Sequence, residues 1–345
     1  MGNLFSERRK INKTNLSLPT FGMGTAHLGE LYGRVEEHIA QATFEAAWGS
    51  GVRYFDTAPW YGRGLAEHRL GAFLRTKPRN EFLVTTKVGR TLHRPLQPKN
   101  FDRAPWQGGL NFEVKFDYSY DGIMRSYEQA LQRLALDTVD ALVIHDLDSL
   151  FHDEQTISKH ISDLMGSGLK ALDELKSTGD IQAYGMGINR KEQLADLAQK
   201  VELDFALVAM PYTLIDQDSL HTGMKACLDR GIGIIVGAPF ASGILATGSS
   251  GVTHYAYEKP DPSIIEKVRN IENVCAEHNV SLQAAALQFP MAHPAAVSII
   301  PGASKPDELK ANVASIDADI PPGFWDELVS KGLIVSDAPV PRGQF

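Results

Sequence analysis

Eight apolar, strand-like runs, each followed by a loop and a helical pattern, predict an α/β protein: a single (β/α)8 TIM barrel with long active-site loops. Two further observations separate a closed barrel from a doubly wound sheet. Glycines end several helices just ahead of a strand, at Ser50-Gly51-Val52, Thr178-Gly179-Asp180-Ile181 and Arg230-Gly231-Ile232, where they read as caps that re-aim the chain. A doubly wound dinucleotide domain should also carry G-x-G-x-x-G after its first strand. Here Gly22-Met23-Gly24-Thr25-Ala26-His27 lacks the third glycine, and no other segment supplies the pattern. A chain of 345 residues accommodates one such barrel, so one domain over 1–345 is the economical reading, with its core at about 16–335.

The runs are taken in order. The first is Thr20–Ala26. A helix over 36–49 follows, on which Ile39, Thr43, Ala46 and Ala47 share one face opposite Glu37, Gln41 and Glu45. The second run, 52–56, is launched by Gly51 and ends in Asp56; Pro59 stops it, and Gly62-Arg63-Gly64 opens a loop before a helix over 65–75. The third, Phe82–Thr86, runs into Lys87 and then a long loop, 89–119, which carries Phe101, Trp106, Phe112, Phe116 and Tyr118. After a helix over 121–134, the fourth run, Val139–Ile144, ends at His145-Asp146 and leads into a loop over 146–159. Ile181–Gly187, Phe205–Met210, Ile232–Val236 and Val297–Ile300 complete the set, with helices over 190–200 and 216–229 and a third long loop over 241–260. Loops of that length, with their own aromatic residues, serve a binding site more often than they merely connect elements.

Composition excludes several classes. The chain is 43% hydrophobic and 22% charged, as expected of a soluble globular enzyme, and its formal charge of −8 speaks against a nucleic-acid partner. Cys227 and Cys275 fall in helical patterns without metal or redox spacing, which fits packing thiols in a reducing cytoplasm. The N-terminus has no apolar signal region; Met1-Gly2-Asn3-Leu4-Phe5-Ser6 matches the myristoylation pattern, which is loose enough to be read as chance. Gly231–Thr253 and Leu282–Ser304 contain no Asp, Glu, Lys or Arg, but prolines and small polar residues interrupt both, so neither reads as a membrane span. His152 and His160 flank a polar loop with no partner at ligand spacing and no H-E-x-x-H occurs, so no metal is expected.

In a barrel, the C-terminal ends of neighbouring strands converge on one face. Asp56 and Tyr61 follow the second run, Lys87 ends the third and His145 ends the fourth. Each has an ordinary reading by itself: a turn cap, a loop aromatic, a rim lysine, a hydrogen-bonded strand-end histidine. Their joint occurrence at three successive strand ends is harder to dismiss. A tyrosine with a pKa near ~10 is a poor proton carrier at neutral pH. A buried Lys87 beside Tyr61 is expected to lower that pKa, with Asp56 offsetting the desolvation of the lysine. Tyr61 then acts as general acid in carbonyl reduction or general base in alcohol oxidation, while His145 orients the same oxygen.

Gly51-Val52-Arg53-Tyr54-Phe55-Asp56-Thr57-Ala58-Pro59-Trp60-Tyr61-Gly62, Thr86-Lys87 and Ile144-His145 together resemble the aldo-keto reductases, and the likeness extends to Ile299-Ile300-Pro301-Gly302-Ala303-Ser304 and Asn312. It implies a barrel that binds a nicotinamide cofactor without a Rossmann domain, and the tetrad Asp56, Tyr61, Lys87 and His145. Gly24-Thr25-Ala26-His27-Leu28-Gly29, Pro211–Gln217 and Ala284–Pro290 are most similar to the bacterial group of L-fucose and D-threo-aldose 1-dehydrogenases and pyridoxal 4-dehydrogenases, in a style shared by plant L-galactose dehydrogenases. The resemblance implies cofactor contacts at Gly24, Thr25, Asn189, Phe240, Ser242, Gly243, Gly302, Ala303, Ser304, Lys305, Glu308 and Asn312. Trp60, Trp106 and His145 are the expected substrate contacts, with Trp60 and the aromatics of 101–118 forming an apolar wall.

The chain departs from the family pattern in three places. Ile188 precedes Asn189 where a serine is usual, Ala209 replaces a glutamine, and Gly237 stands where a tyrosine commonly stacks on the nicotinamide, leaving Phe240 as the candidate stacking ring. NADPH-preferring members carry a lysine and an arginine at the positions of Gly302 and Glu308. A carboxylate repels a 2′-phosphate and accepts hydrogen bonds from ribose hydroxyls, so NAD is favoured over NADP, with Lys305 the residue that could reverse this. The resulting expectation is a cytoplasmic, NAD-linked oxidation of an aldose to its lactone, or of a pyridoxal-type aldehyde. The alternatives are an NADPH-dependent aldehyde reductase, a non-catalytic cofactor-binding regulatory subunit, and an aldolase with a Schiff base on Lys87. Oligomeric state is left open.

Overall fold

The computed structural model describes residues 7–251, 254–255 and 259–342. The myristoylation-like N-terminus lies outside them. The strands are β1 (Arg8–Lys10), β2 (Ser17–Pro19), β3 (Met23–Gly24), β4 (Tyr54–Asp56), β5 (Leu83–Val88), β6 (Arg90–His93), β7 (Glu113–Phe116), β8 (Ala141–Ile144), β9 (Ala183–Ile188), β10 (Phe205–Ala209), β11 (Gly233–Gly237) and β12 (Ala296–Ile300). Eight of them form one parallel sheet in the order β12-β11-β10-β9-β8-β5-β4-β3. Parallel bridges Phe21↔Ile299 and Gly24↔Gly302 join its two edges, so the predicted (β/α)8 barrel closes.

The closure depends on small residues. A Cβ on Gly22 would stand 2.5 Å from the Tyr54 ring and 3.0 Å from Ile300 Cγ2, so only glycine lets the first strand lie against the last. That seam is joined by Gly22 N–H donating to Ile299 O and Ile299 N–H donating to Thr20 O, both at 2.9 Å. Regular pairing in the first run is shorter than Thr20–Ala26 for this reason: most of it is seam.

The lower interior of the barrel is apolar, with Tyr54, Ala141, Val143, Ala183, Phe205, Leu207, Ile235 and Val297 packed together with Ile11, Leu16 and Leu18. Those last three come from the antiparallel hairpin of β1 and β2, which plugs the bottom. Arg9 pins it there by donating to the carbonyls of Met291 and Ala296 at 3.0 and 2.9 Å. The Arg-Arg-Lys strand has no apolar alternation, which is why its strand character does not show in the sequence.

Helices cover the outer surface. On the Glu37–Gly49 helix Ala40, Thr43, Phe44 and Ala47 are buried, while Ile39 and Ala46 are only partly so. Gly179 and Gly231 close their helices in the left-handed region, at φ 86° and 67°, as read from the sequence. The segment 216–229 is a π-turn, Leu220–Met224, followed by a short helix, Lys225–Arg230.

The long loops carry more structure than expected. The segment 89–119 contains the antiparallel hairpin of β6 and β7, whose Arg-Thr-Leu-His and Glu-Val-Lys-Phe sequences alternate weakly. A helix, Glu154–Asp163, begins inside 146–159, and short turns at Ala241–Gly243 and Ile244–Thr247 follow β11. The described part of the C-terminal tail packs on the outside: Arg342 pairs with Asp326 at 2.7 Å. Cys227 and Cys275 are buried free thiols, and among the described residues no helix is long and apolar enough to cross a membrane.

Candidate active site

Strand register places the acid and the base. Asp56 is paired with Thr85, and the two-residue period of β5 turns Thr85 and Lys87 to the same inward face. Lys87 Nζ therefore reaches down to donate to Asp56 Oδ1 at 2.6 Å, and also to Thr57 O at 2.9 Å. Thr85 Oγ1 donates to the other carboxylate oxygen at 2.7 Å. Thr86, on the outward face, donates instead to buried Glu67 at 2.7 Å. His145 continues β8, its N–H donating to Val88 O at 3.0 Å.

Tyr61 is set by glycines. It begins a tight turn in which Gly62, Arg63 and Gly64 all have positive φ. A Cβ on Gly29 would meet Tyr61 C and Gly62 N at 2.6 Å, so the loop after β3 lies directly on the tyrosine's backbone. The Lys87 ammonium sits 4.6 Å from the Tyr61 ring centroid, and the His145 ring stands edge-on to it at 5.9 Å. The four tetrad residues thus meet at one point.

They form the floor of a cavity of about 730 Å³. Trp60, Trp106, Phe151, Leu31, Tyr32 and Pro105 make an apolar wall on one side. Of the aromatics in 101–118 only Trp106 reaches the cavity. Phe101 packs on the Arg63 guanidinium at 4.7 Å, Phe116 lies against Arg90 at 4.6 Å, Tyr118 donates to His145 O at 2.7 Å, and Phe112 is exposed. Phe151 and Tyr32 are wall residues that sequence reasoning missed; both come from loops whose path only the fold reveals.

The cavity continues past Gly24, Thr25, Asn189, Phe240, Ser242 and Gly243 to Gly302, Ser304, Glu308 and Asn312. Two expected contacts do not line it: Ala303 is buried beneath, and Lys305 turns its Nζ toward Glu308 at 3.8 Å. His27 and Asp146, not expected, do line it. Glu308 Oε2 accepts from Ser304 N–H and Ser304 Oγ, both at 2.8 Å. Gly237 leaves the β11 end open, and Leu207 Cδ2 already lies 2.9 Å from where its Cβ would be. Phe240 is in the cavity wall beside it.

The residues present suit an elongated polar cofactor. Thr25 Oγ1, His27 Nδ1, Trp106 Nε1 and His145 Nδ1, all from residues that line the cavity, are buried without hydrogen-bond partners. A Cβ on Gly24 would stand 3.0 Å from Ile300 O, so the backbone there is bare. Among the described residues no group of three or more His, Cys, Asp or Glu could hold a metal ion.

One electrostatic expectation is overturned. Tyr61 is pushed well above its ordinary pKa, first by burial, then by the carboxylates of Asp56 and Asp146, with only Arg90 opposing. Lys87, whose ammonium is engaged by Asp56 at 2.6 Å, is not among the groups that shift it. Lys87 Nζ is engaged by both Asp56 Oδ1 and Thr57 O. Burial, Arg90 and Lys87 push His145 well below its ordinary value, so its ring is neutral at pH 7. At neutral pH the site therefore holds a phenol and an imidazole, both uncharged, above one ion pair.

The model of the aldo/keto reductase family matches residues 20–332. The pyridoxal 4-dehydrogenase of Microbacterium luteolum is 39% identical, over 95% of this chain and 98% of its own. The D-threo-aldose 1-dehydrogenase of a Pseudomonas species is 36% identical, over 92% and 95%. An aldo-keto reductase of Bacillus halodurans, solved in its holo form, superposes with a TM-score of 0.71 at 22% identity, covering 98% of this chain and 99% of its own.

Proposed function

The chain belongs to the aldo/keto reductase family, and from that premise we propose that it is an NAD-linked dehydrogenase of cyclic hemiacetals. An aldose and pyridoxal share the ability to close on one of their own hydroxyls into such a ring, whose oxidation gives a lactone. The observation that carries the reaction class is the meeting of Tyr61, His145 and the Lys87–Asp56 pair on the floor of one cavity. A nicotinamide held in the cavity would supply the hydride acceptor. The protein's own share is to hold the hemiacetal carbon against Trp60 and Trp106, to fix its hydroxyl by His145, and to take the hydroxyl proton at the Oη of Tyr61 in its ionised form, so that oxidation draws on the fraction of Tyr61 that has lost its proton. Lys87 and Asp56 hold the floor rigid under the ring of Tyr61.

The cofactor choice rests on the far end of the cavity. Glu308 occupies the Ser304 donors that an anion would otherwise receive, and Lys87 is the one Lys or Arg among the described residues that line the cavity. That arrangement suits ribose hydroxyls and disfavours a 2′-phosphate. Binding of NADH and NADPH to the purified protein, followed by quenching of tryptophan fluorescence, tests the choice, because Trp60 and Trp106 stand in the cavity wall. NADH should bind more tightly, and NAD-dependent oxidation of aldoses and pyridoxal should follow. Tighter NADPH overturns the cofactor assignment, and binding of neither overturns the oxidoreductase reading.

The protonated Tyr61 favours a second reading, in which the phenol donates to a carbonyl oxygen and the enzyme reduces an aldehyde at neutral pH. Comparison of initial rates in both directions at pH 7 separates the two.

A further inference from the structure

Arg90 is 1% exposed, although it carries a full charge three residues beyond Lys87. Its guanidinium lies over three aromatic rings, 4.8 Å from Trp60, 4.6 Å from Phe116 and 4.4 Å from Phe151. Two of those rings, Trp60 and Phe151, form the cavity wall, but Arg90 itself does not line the cavity. Its Nη2 donates to Asp146 Oδ2.

Asp146 has further neighbours. Its Oδ2 lies 3.1 Å from His145 Nε2, and its Oδ1 accepts from Asn189 Nδ2 at 2.7 Å. The Asn189 amide nitrogen also donates to Asp148 Oδ2 at 2.8 Å. Both amide hydrogens of Asn189 are thus engaged by carboxylates. What it can offer a ligand is its carbonyl oxygen, an acceptor. Asp146 reaches all three partners from a backbone at φ 47°, a conformation that aspartate tolerates better than most residues.

A buried ion pair contributes little to stability relative to apolar residues of the same volume, so stability is a weak reason for this one. Its geometry is a better reason. We propose that the Arg90–Asp146 pair is a positioning device, in which Asp146 fixes the His145 ring and turns Asn189 to present only its acceptor, while Arg90 carries the Trp60–Phe151 wall on its faces. The proposal rests on the oxidoreductase reading. It makes Asn189 an acceptor for an amide N–H of the cofactor, and it links the cofactor side of the cavity to the substrate side through one charge pair.

Titration of Tyr61 gives a readout that a purely structural role would not move. The charged and titratable groups around Tyr61 are Tyr54, Asp56, Lys87, Arg90, His145 and Asp146, of which Asp56 and Asp146 raise its pKa, after burial, and Arg90 lowers it. Asp146→Asn should therefore shift the rising limb of the oxidation profile, where Tyr61 loses its proton, to lower pH, and Arg90→Met should shift it to higher pH.

The experiment compares the wild-type protein with Asp146→Asn, Arg90→Met and Arg90→Lys by NADH binding, by pH profiles of kcat/KM and by thermal unfolding. Asp146→Asn should weaken NADH by about tenfold through loss of Asn189 orientation and lower kcat by on the order of 100-fold through His145. Arg90→Met should leave NADH binding within about twofold and raise KM for ring-shaped substrates, and Arg90→Lys should recover part of that loss. Arg90→Lys keeps the charge, so it and Asp146→Asn carry the test if Arg90→Met does not fold. Superimposed pH profiles, with wild-type NADH affinity in Asp146→Asn, overturn the proposal. A wild-type protein that binds neither NADH nor NADPH overturns the reading beneath it instead.

Discussion

Glu308 offers the most direct test of cofactor choice, because its effect follows from charge and position. Its side chain is 45% exposed and its Oε2 is held by Ser304 N–H and Oγ at 2.8 Å. A 2′-phosphate that used the same two donors would bring anionic oxygens within about 4 Å of the carboxylate, where each pair of like charges costs ~1 kcal/mol in water and ~4 kcal/mol in partly shielded surroundings. The exposure of Glu308 places it near the lower figure. A penalty of roughly 1.5–2 kcal/mol corresponds to a ratio of about 10 to 30 in affinity. Glu308→Gln should remove most of it, tightening NADPH about tenfold while weakening NADH by no more than the ~1 kcal/mol of a ribose hydrogen bond. Glu308→Arg should go further and invert the preference. Gly302→Lys, the other exchange that the family pattern suggests, should weaken both cofactors by itself, because a Cβ there meets His27 Nδ1 at 2.4 Å. Dissociation constants for NADH and NADPH, measured at one ionic strength, decide the matter. An NADPH affinity unchanged in both Glu308 variants would refute the electrostatic argument.

Tyr61→Phe should lower turnover by at least about 100-fold while NADH binding is retained, since only the hydroxyl that carries the proton is lost; an active variant would remove Tyr61 from the chemistry. With Tyr61 held protonated at neutral pH, the oxidation rate should climb as pH rises above 7 and the reduction rate should stay flat until the phenol ionises, which pH–rate profiles in both directions would show. His293 is 3% exposed, its Nδ1 accepts from Ala295 N–H at 3.2 Å, and burial lowers its pKa to about 4. The unfolded chain then takes up this proton first as pH falls below 6.5, so stability present above pH 6.5 should decline toward pH 4, by roughly 3 kcal/mol from this residue. His293→Asn should remove that part of the slope in denaturant titrations; an unchanged slope would sink the assignment. Glu67→Ala should cost roughly 3–5 kcal/mol in the same assay, because it leaves the buried guanidinium of Arg133 without its carboxylate, whereas a loss below about 1 kcal/mol would show the pair to be dispensable.

The parts of this protein legible in the sequence are those whose signal is local. Val52–Asp56, Val139–Ile144 and Phe205–Met210 are short apolar runs bounded by turn residues, and each contains a barrel strand. The tetrad was legible because each member sits at a strand's end, where topology alone brings it to the mouth. The polar strand β1 and the hairpin of β6 and β7 were not, since neither has the alternation that marks a half-buried strand. Phe151 and Tyr32 enter the wall from loops whose course depends on contacts such as that of Gly109 N–H with Glu30 at 3.1 Å, which has no sequence signature. The error over Tyr61 has the same origin. Lys87 does lie beside the Tyr61 ring, but the direction in which Tyr61 shifts is set first by burial, then by Asp56 and by a second carboxylate, Asp146, that the sequence shows only as the residue after a histidine.

The barrel is divided into an apolar bottom and a charged top. Below Asp56 the interior is filled by Tyr54, Phe205, Val297 and the plug of Ile11, Leu16 and Leu18, so apolar side chains underlie the charged layer. Lys87, Arg90, Asp56, Asp146 and Asp148 are each at most 5% exposed, in an environment where an unpaired charge is very costly. Pairing is therefore obligatory, and it holds each charge in place: Lys87 on Asp56, Arg90 on Asp146, and Asp148 on the Asn189 amide and the Leu150 N–H. With His145 neutral, these five groups sum to one net negative charge. A layer of that sign favours a cationic ring over a neutral one, which argues for tighter binding of the oxidised than of the reduced nicotinamide. That bias would run in the direction of oxidation and against the pull of a protonated Tyr61 toward reduction. The ratio of NAD to NADH dissociation constants, compared between the wild-type protein and Asp148→Asn, measures it; a ratio that does not move when the charge is removed would leave the layer's sign without consequence for the reaction.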